Sequence, residues 1–399
     1  MESKSKILIF VGYYLPGYKA GGPLRTIANM VEHLSDDFEF WIVTRDHDLG
    51  DNVPYSDIIV NEWNNVGNAR VFYASTDWLS LSGIIDIINS TPSDLIYLNS
   101  FFDPVFTLKP LLARRLGRLK NILFVLAPRG EFSVSALRLK SLKKKVYIRT
   151  VKLLGLYDNI YWHASSIHEA EDIKREFALK DDSIVTALDL PAKTSQDDFA
   201  DSRLEVDQKE LRIVFLSRIS PMKNLNYALR VLKSVTVLVK FDIYGPIEDK
   251  EYWKLCEKLI LGLPINIIVK HFGSVYPNDV AKIFSKYDLF LFPTRGENYG
   301  HVIAESLSVG TPVLISDQTP WKNLENDGLG WDISLDDMSD FIKIIETMSL
   351  RTFDEKYQER QHICQKVLER LTSPELLEAN QQVFIKPLKN KNLKRKNNV

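Results

Sequence analysis

The feature that most constrains the fold is an alternation between short apolar runs and longer stretches with helical spacing. Runs such as KILIFVGYY, EFWIVTR, DLIYLNS and NILFVLAPRG are rich in Val, Ile, Leu and Phe, and each is bounded by Gly, Pro, Asn or a charged residue. The stretches between them, such as 24–35 and 79–90, have the spacing of helices. This alternation is typical of βαβ units and predicts an α/β fold with a doubly wound, mostly parallel sheet.

The alternation is interrupted at 191–210, a polar segment with nine charged residues, and then restarts with runs such as LRIVFLSR, VLVKFDIYG and YDLFLFPTRGE. A polar segment between two apolar periodic regions indicates a domain linker. We therefore predict two similar α/β domains, over 1–192 and 205–375, joined by a linker at 193–204. The segment 376–399 is predicted to form a helix that crosses back to the first domain and ends in a basic tail.

Composition excludes several classes of protein. The 399 residues include 51 basic and 52 acidic side chains, for a net charge of -1, so the chain is not a polycation built to bind nucleic acid. Two cysteines, Cys256 and Cys364, cannot form a disulfide framework, and a reducing compartment fits them best. The N-terminal apolar run is too short for a secretory signal, which favours a cytoplasmic protein.

Positive charge is concentrated in two segments. Between 111 and 152 there are twelve basic residues and one acid, Glu131, and 386–399 adds six basic residues and no acid. Basic clusters beside Leu, Val and Tyr predict attraction to an anionic membrane surface. A solvated helix face and a frayed tail remain the alternative reading.

The loop after the first predicted strand, GYYLPGYKAGGPLRTI, contains Gly17, Gly21 and Gly22 just before a predicted helix. Glycines at such a place let backbone amides approach a phosphate closely. Because glycine-rich connections are common, an ordinary tight turn is the alternative.

The segment PTRGENYGHVIAESLSVGTPVLISD, 293–317, is the strongest functional signal. Glu297 lies in a loop after a predicted strand, and Glu305 lies about one turn inside a helix that begins near Gly300 or His301. Carboxylates accept hydrogen bonds from sugar or ribose hydroxyls, and free amides at the start of a helix attract phosphate. The spacing therefore favours a ligand that carries hydroxyls and phosphate.

Glu297 and Glu305, with seven residues between them, resemble the paired-glutamate signature of retaining family-4 glycosyltransferases with the GT-B fold, of the bacterial surface-polysaccharide type. The resemblance extends over most of the chain, including FLSRISPMKNL, the IYGP turn and the HFGSV turn. It implies two Rossmann-like doubly wound domains that face one another across a cleft.

The resemblance also implies a role for each matching residue. Glu297 would contact the transferred sugar, Glu305 the ribose, and Arg218 and Lys223 the diphosphate, which makes Glu297, Arg218 and Lys223 the expected catalytic set. Gly22 would contact the diphosphate from the other domain, and Val275 would border a base that remains open between uracil and guanine. The remaining donor contacts would be backbone amides, at Asn298, Tyr299, Gly300 and His301, and a contact through the His301 side chain stays open as an alternative.

The sequence departs from the family where many relatives carry a histidine, because Arg129 stands there in APRGEFS. Arginine cannot act as a base at neutral pH. Arg129 is expected either to bind the acceptor or the donor phosphate, or to form an internal ion pair with Glu131 or another carboxylate. His163 is a second acceptor-side candidate, with local hydrogen bonding as the alternative.

No metal ion or other cofactor is expected, because a basic grip on the diphosphate makes a divalent ion unnecessary. The DxD-like run Asp46-His47-Asp48 lies in the wrong half of the chain for donor phosphates.

The resemblance implies transfer of a hexose-type sugar from a nucleotide-diphosphate donor to a hydroxyl, with retention and by front-face attack. With the basic surface, it predicts a lipid-linked saccharide acceptor at the inner face of the cell membrane, in O antigen or capsule biosynthesis. Two alternatives stay open: a GT-B epimerase or phosphorylase, and a catalytically silent nucleotide-binding partner protein.

Overall fold

The computed structural model describes residues 4–133, 136–137, 141–179, 181–193, 210–371 and 373–396. The chain forms two compact units, one of Met1–Lys193 with Ser373–Val399 and one of Thr194–Thr372. The predicted linker lies outside the described residues from 194 to 204.

The first unit is built on an eight-stranded sheet with the strand order β3-β4-β2-β1-β5-β6-β7-β8. All neighbouring strands are parallel except β3 and β4, which pair antiparallel. The strands are β1 (Ser5–Phe10), β2 (Phe38–Arg45), β3 (Trp63–Val66), β4 (Ala69–Ala74), β5 (Leu95–Leu98), β6 (Leu123–Leu126), β7 (Tyr161–Ala164) and β8 (Ile184–Thr186).

Helices cover both faces of this sheet. They are α1 (Gly22–Leu34), α2 (Leu81–Ser90), α3 (Lys109–Arg115), α4 (Ser141–Leu153) and α5 (Ile167–Phe177), with a π-helical turn at Pro104–Leu108 and a 3-10 turn at Asp181–Ser183. In β1, Ile7 and Ile9 pack into one core, and Leu8 and Phe10 pack into a second core on the opposite face. Burial on both faces explains why the strand is an unbroken apolar run rather than an alternating one.

The second unit is built on a six-stranded, fully parallel sheet with the order β11-β10-β9-β12-β13-β14. Its strands are β9 (Leu211–Leu216), β10 (Val239–Tyr244), β11 (Ile267–Gly273), β12 (Leu289–Phe292), β13 (Val313–Ser316) and β14 (Gly330–Ile333). Its helices are α6 (Leu225–Lys233), α7 (Lys250–Leu261), α8 (Pro277–Phe284), α9 (His301–Ser308), α10 (Met338–Ser349) and α11 (Phe353–Leu371). This is the Rossmann order, so the predicted doubly wound α/β architecture is confirmed.

A final helix, α12 (Pro374–Lys396), packs on the first unit. Phe384 is fully buried, and its ring lies 5.1 Å from that of Phe38 and 5.7 Å from that of Tyr97, measured between centroids. Asn380 donates to the Leu188 carbonyl at 2.8 Å. None of the helices in the described part of the chain combines the length and hydropathy needed to cross a bilayer.

Candidate active site

The strand order of the second unit creates one crevice at the carboxyl end of the sheet. From β9 the chain proceeds to β10 and β11 on one side, whereas β12, β13 and β14 extend on the other. Connections leave in opposite directions at the boundary between β9 and β12, which is where ligands bind in open α/β sheets. The two loops that meet there are 217–224 and 293–300.

These two loops are tied together by hydrogen bonds. The Asn224 side chain is buried and donates to the Pro293 carbonyl at 2.9 Å, and the Arg295 amide donates to the Met222 carbonyl at 2.8 Å. Asn224 has a left-handed backbone (φ 60°), a conformation that asparagine tolerates better than most residues. The loops therefore hold one another in place beneath the crevice.

Lys223 and Glu297, from opposite loops, form the centre of the site. The Lys223 Nζ lies 2.6 Å from Glu297 Oε1, and the two side chains are only 15% and 12% exposed. The Thr294 hydroxyl lies 3.2 Å from the same carboxylate oxygen. The crevice thus contains a fixed cation beside a fixed hydrogen-bond acceptor, which is what a ligand with phosphate and hydroxyl groups requires.

Helix α9 begins directly after Glu297's loop, and glycine forms its N-cap. Gly300 has φ 82°, and no side chain among the described residues caps the first turn. A glycine cap leaves the helix start unobstructed, and the amino end of a helix attracts anions. Glu305 lies on the second turn of α9 and is half-buried.

The side chain of Tyr299 is part of the core rather than of the crevice. It is buried, and its carbonyl accepts a hydrogen bond from Trp321 Nε1 at 2.7 Å. The His301 ring lies 4.8 Å from the Tyr299 ring. This packing fixes the backbone of 298–301, which is the part of the segment expected to contact a donor.

Arg218 is held by a different carboxylate from the one that holds Lys223. Its NH1 lies 2.8 Å from Glu248 Oε1, and the two side chains are 34% and 44% exposed. The two cations predicted to act together therefore each have a separate acidic partner, and the Arg218 pair is the more accessible one.

Val275 lies at a cavity beside the ends of β10 and β11. The cavity has a volume of about 370 Å³ and is also lined by Tyr244, Phe272, Asp279 and Lys282. The Tyr244 and Phe272 rings are stacked, with centroids 4.7 Å apart and planes 10° from parallel. This volume lies in the range of pockets that hold small ligands.

In the first unit, the glycine-rich loop leads into α1 as expected. Gly21 caps α1 with φ 70°, Gly22 is the first helical residue, and Pro23 follows in the first turn. A Cβ on Gly17 would lie 2.9 Å from the backbone carbonyl oxygen of Tyr14 and would also meet the Tyr55 hydroxyl, so glycine suits the close packing there. Gly22 is exposed and therefore available to a ligand.

Arg129 forms an internal ion pair, but its partner is Asp189 rather than Glu131. The NH1 group lies 2.6 Å from Asp189 Oδ1, and the side chains are 7% and 2% exposed. Its other donors reach Asn99 Oδ1 and the Tyr97 hydroxyl, both at 2.7 Å. With its donors so engaged, the arginine is a structural cation, and the structure favours this alternative over contact with an acceptor or phosphate.

His163 is also part of this buried network. Its Nε2 lies 2.9 Å from the Ala187 carbonyl and its Nδ1 lies 2.7 Å from the Tyr97 hydroxyl. Because a carbonyl only accepts, Nε2 carries the proton, and Tyr97 donates to Nδ1. Burial, followed by the charge of Arg129, lowers the pKa of His163 to about 4. His163 is fully buried, which favours local hydrogen bonding over acceptor contact.

The DxD-like run has structural partners. Asp46 Oδ1 lies 2.6 Å from His47 Nδ1, and Asp48 Oδ2 accepts hydrogen bonds from the amides of Tyr18 and Lys19 at 2.8 and 3.1 Å. Within the described residues, no group of three or more His, Cys, Asp or Glu side chains could hold a metal ion. Independence from metal stays a prediction about the reaction.

Two contributors to these sites escaped the sequence analysis. Thr294 lies two residues after the end of β12, and its hydroxyl contacts Glu297, so the rule that ligands bind at strand ends could have identified it. Asp189, which holds Arg129, has no local signal, because 60 residues separate the two.

Comparison with known proteins concerns the family and the fold. Residues 196–360 match the family model Glycosyl transferases group 1. A Klebsiella pneumoniae protein, described as an uncharacterized 41.2 kDa protein in the cps region, is 24% identical over 280 residues, covering 68% of this chain and 74% of the relative.

Solved structures resemble the chain over almost its whole length. HepE from Anabaena, solved in complex with UDP and glucose, has a TM-score of 0.68 at 16% identity and covers 95% of this chain and 98% of its own. WaaG, described as a glycosyltransferase involved in lipopolysaccharide biosynthesis, has a TM-score of 0.64 at 12% identity and covers 94% and 98%.

The chain has the GT-B fold of these solved structures, and the match to the glycosyl transferases group 1 model supports a glycosyltransferase. More particularly, the matched residues, 196–360, lie in the second unit and include Lys223 and Glu297.

Proposed function

We propose that this protein is a retaining hexosyltransferase that moves a sugar from a nucleotide-diphosphate donor to a hydroxyl of a glycan acceptor. The observation that carries the proposal is the Lys223–Glu297 pair at the switch point of a glycosyl transferases group 1 domain. HepE, which shares the fold, has been solved with UDP and glucose.

In the proposed reaction, Lys223 and Arg218 stabilise the negative charge that develops on the departing nucleoside diphosphate. Glu297 accepts hydrogen bonds from the sugar hydroxyls, and Glu305 from the ribose. The backbone of 298–301 and the glycine-capped start of α9 contact sugar and phosphates, Gly22 adds a diphosphate contact, and the base lies by Val275. The cations perform the task that a divalent ion would otherwise perform, so we propose metal-independent catalysis.

We further propose front-face attack, in which the acceptor oxygen bonds to the anomeric carbon as the bond to the diphosphate breaks. The leaving phosphate oxygen takes the acceptor's proton. Arg129 and His163, the two candidates for assistance from the first unit, are a paired cation and a neutral buried imidazole. A proton acceptor on the leaving group itself fits these observations.

A matched pair of glutamate variants tests the proposal. Glu297→Ala is expected to abolish transfer, whereas Glu257→Ala, an exposed glutamate on α7, is expected to leave it unchanged. Transfer is measured with UDP-, GDP-, ADP- and dTDP-sugars, with and without acceptor glycan. Full turnover by Glu297→Ala would remove that residue from the site. Conversion of the donor without acceptor would favour an epimerase, and conversion that needs inorganic phosphate would favour a phosphorylase.

We propose that the acceptor is lipid-linked and that the enzyme works at the cytoplasmic face of an anionic membrane, in surface polysaccharide biosynthesis. The cps-region relative and the lipopolysaccharide role of WaaG support this pathway. Helix α4 supports the membrane surface: it contains no acid, and Lys143, Lys145, Arg149 and Lys152 are exposed. Each cation near such a surface contributes about 1 kcal/mol.

Helix α4 has two apolar faces. Ile148 and Val151 are buried in the unit, whereas Leu142 and Leu153 are 76% and 88% exposed, with Val146 between them on the outer face. Spacings of four and seven residues put these three side chains on one side of the helix. Exposed leucines beside lysines are the composition of an interfacial helix. Of the wider basic segment, Arg138 and Lys140 lie outside the described residues.

Flotation with vesicles tests the proposed membrane binding through α4 separately from catalysis. The protein is expected to float with phosphatidylglycerol vesicles and not with phosphatidylcholine vesicles, and the double variant Leu142→Ser with Leu153→Ser is expected to reduce flotation severalfold. Leu261→Ser, a similarly exposed leucine on α7, is the control. Flotation that is unchanged in the double variant would exclude α4 as the contact.

A further inference from the structure

The cavity beside Val275 is connected to a buried carboxylate by two tyrosines. Asp242, in the middle of β10, is almost fully buried, and its Oδ2 accepts a hydrogen bond from the Tyr287 hydroxyl at 2.8 Å. The Tyr287 oxygen lies 3.0 Å from the hydroxyl oxygen of Tyr244, which lines the cavity. The chain of contacts therefore runs from Asp242 through Tyr287 to the cavity wall.

The buried carboxylate fixes the direction of both hydroxyls. A hydroxyl has one proton, and Tyr287 gives its proton to Asp242. The proton between the two tyrosines must therefore come from Tyr244. Asp242 Oδ1 has no hydrogen-bond partner among the described residues, so the bond from Tyr287 is a main compensation for burying this carboxylate. Reversing the chain would leave the carboxylate with less compensation, which is unfavourable.

The consequence for a ligand concerns the Tyr244 oxygen. Because its proton is given to Tyr287, this oxygen can only accept a further hydrogen bond. Tyr244, which lines the cavity with its ring stacked on that of Phe272, thus carries an acceptor of fixed polarity. Lys282 and Lys286, also in the lining, can only donate. The lining therefore combines the fixed acceptor of Tyr244 with these donors and with a second acceptor, the carboxylate of Asp279.

The bases of nucleotides differ in whether the ring nitrogen at their pairing edge donates or accepts a hydrogen bond. Uracil and thymine have a ring N–H flanked by carbonyl oxygens, and guanine has a ring N–H next to one carbonyl. Adenine and cytosine have a bare, accepting ring nitrogen at the equivalent position, next to an amino group. A fixed acceptor complements the ring N–H of the first set, and ammonium groups elsewhere in the lining complement its carbonyl oxygens. The same acceptor would face a lone pair on the ring nitrogen of the second set.

We propose that Tyr244, held by Tyr287 and Asp242, is a specificity-determining residue that selects donors with uracil, thymine or guanine over donors with adenine or cytosine. This inference rests on the proposed function, in that the cavity is taken to hold the base of the nucleotide donor. To the proposed function, this inference adds the class of base that the donor carries and the residue that selects this base.

The test uses two matched pairs of ligands, UDP with CDP and GDP with ADP, and measures their affinities by calorimetry on the full chain. We expect UDP or GDP to bind wild-type protein at least tenfold more tightly than its matched partner. Tyr244→Phe is expected to reduce this ratio about five- to tenfold, the equivalent of one hydrogen bond. Tyr227→Phe is the control, because Tyr227 donates to the Leu335 carbonyl and does not line the cavity.

Asp242→Asn tests the polarity itself. The amide can donate to Tyr287, which would then donate to Tyr244 and turn its hydroxyl into a donor toward the cavity. The expected result is a ratio that falls to one or reverses. Tyr287→Phe, which frees the Tyr244 proton, is expected to reduce the ratio of UDP to CDP affinity and of GDP to ADP affinity. This variant replaces Asp242→Asn in the test if Asp242→Asn does not fold.

The outcomes separate the inference from the proposed function. Equal binding of all four nucleotides, or a preference for CDP or ADP, overturns the inference and leaves the proposed function standing. A ratio unchanged in Tyr244→Phe but lost in Asp279→Asn also overturns it, since the selecting acceptor would be Asp279. If wild-type protein binds no nucleoside diphosphate and transfers no sugar, both fail.

Discussion

The ammonium group of Lys223 lies 2.6 Å from the carboxylate of Glu297, although 74 residues separate them along the chain. The Lys223 ammonium also lies 5.7 Å from the centre of the Phe292 ring. The pair is mostly shielded from water, so its attraction is stronger than that of a surface ion pair. A phosphate that binds Lys223 must share the lysine with Glu297, which links the two contacts.

This pair predicts a non-additive effect on stability. Lys223→Met and Glu297→Gln are each expected to lower the free energy of unfolding by about 1–2 kcal/mol, less than for a fully buried pair because some solvent reaches the site. The double variant is expected to lose less than the sum of the two, because the single variants each leave an unpaired charge or dipole. Urea unfolding without nucleotide measures this cycle, and strict additivity would mean that the contact contributes nothing.

Lys223→Ala is also expected to weaken nucleotide binding in calorimetry.

The Arg129–Asp189 pair predicts a larger effect, since both side chains are almost completely buried. Arg129→Met is expected to lower the free energy of unfolding by about 3–5 kcal/mol, because it leaves the Asp189 charge without its partner. Adding Asp189→Asn is expected to recover part of that loss. Arg218→Met, which breaks an exposed pair of similar length, is expected to change stability by less than about 1 kcal/mol. Equal losses for the two arginine variants would contradict the assignment of Arg129 as a buried structural cation.

His163 predicts a loss of stability in acid. Its pKa is lowered to about 4 in the folded protein, against 6.5 for the ordinary group. Between pH 6.5 and 4 the unfolded chain binds a proton at this residue that the folded protein does not, so stability falls as the pH falls. The loss is complete below pH 4 and amounts to about 3 kcal/mol. The difference in unfolding free energy between wild type and His163→Gln, measured from pH 7 to 4, isolates this contribution. A difference that does not vary with pH would contradict it.

Gly300 predicts a backbone effect at the start of α9. Alanine there must adopt φ 82°, and its Cβ would lie 2.9 Å from the Cδ1 of Ile303. The expected loss is about 1–3 kcal/mol of stability, together with weaker nucleotide binding because the amides of the first turn shift. Gly262→Ala is the control: its φ is -96°, and its Cβ would meet nothing nearer than 3.6 Å. Comparable thermal shifts for the two variants would show that Gly300 is not required for its conformation.

How much could be predicted from sequence depends on how local each signal is. The apolar runs predict strands β1, β2, β5 and β9, because a strand that is buried on both faces is apolar along most of its length. Strands β3 and β14 escaped notice because WNNV and GWDI are short and largely exposed or half-buried, so neither contains an apolar run. The residues of 293–305 were identifiable because they follow one strand and begin one helix.

Partners that are distant in sequence were not predictable in this way. Glu131, two residues away, was the one carboxylate named as a candidate for an internal ion pair with Arg129, but Glu131 accepts hydrogen bonds from Ser100 and the amide of Phe101. The Asp189 side chain that Arg129 contacts arrives from beyond β8, and only the packed sheet determines this. The Tyr244–Tyr287 contact likewise joins residues 43 positions apart.

The packing of Phe384 against Phe38 and Tyr97 has a consequence for biosynthesis. The ribosome makes residues 194–372 before it makes α12, so the second unit can mature while the first still lacks one wall of its hydrophobic interior. A nascent or prematurely terminated polypeptide that stops before α12 would leave those aromatic rings open to water and to chaperones. Folding of the first unit can therefore be completed only after α12 has been translated.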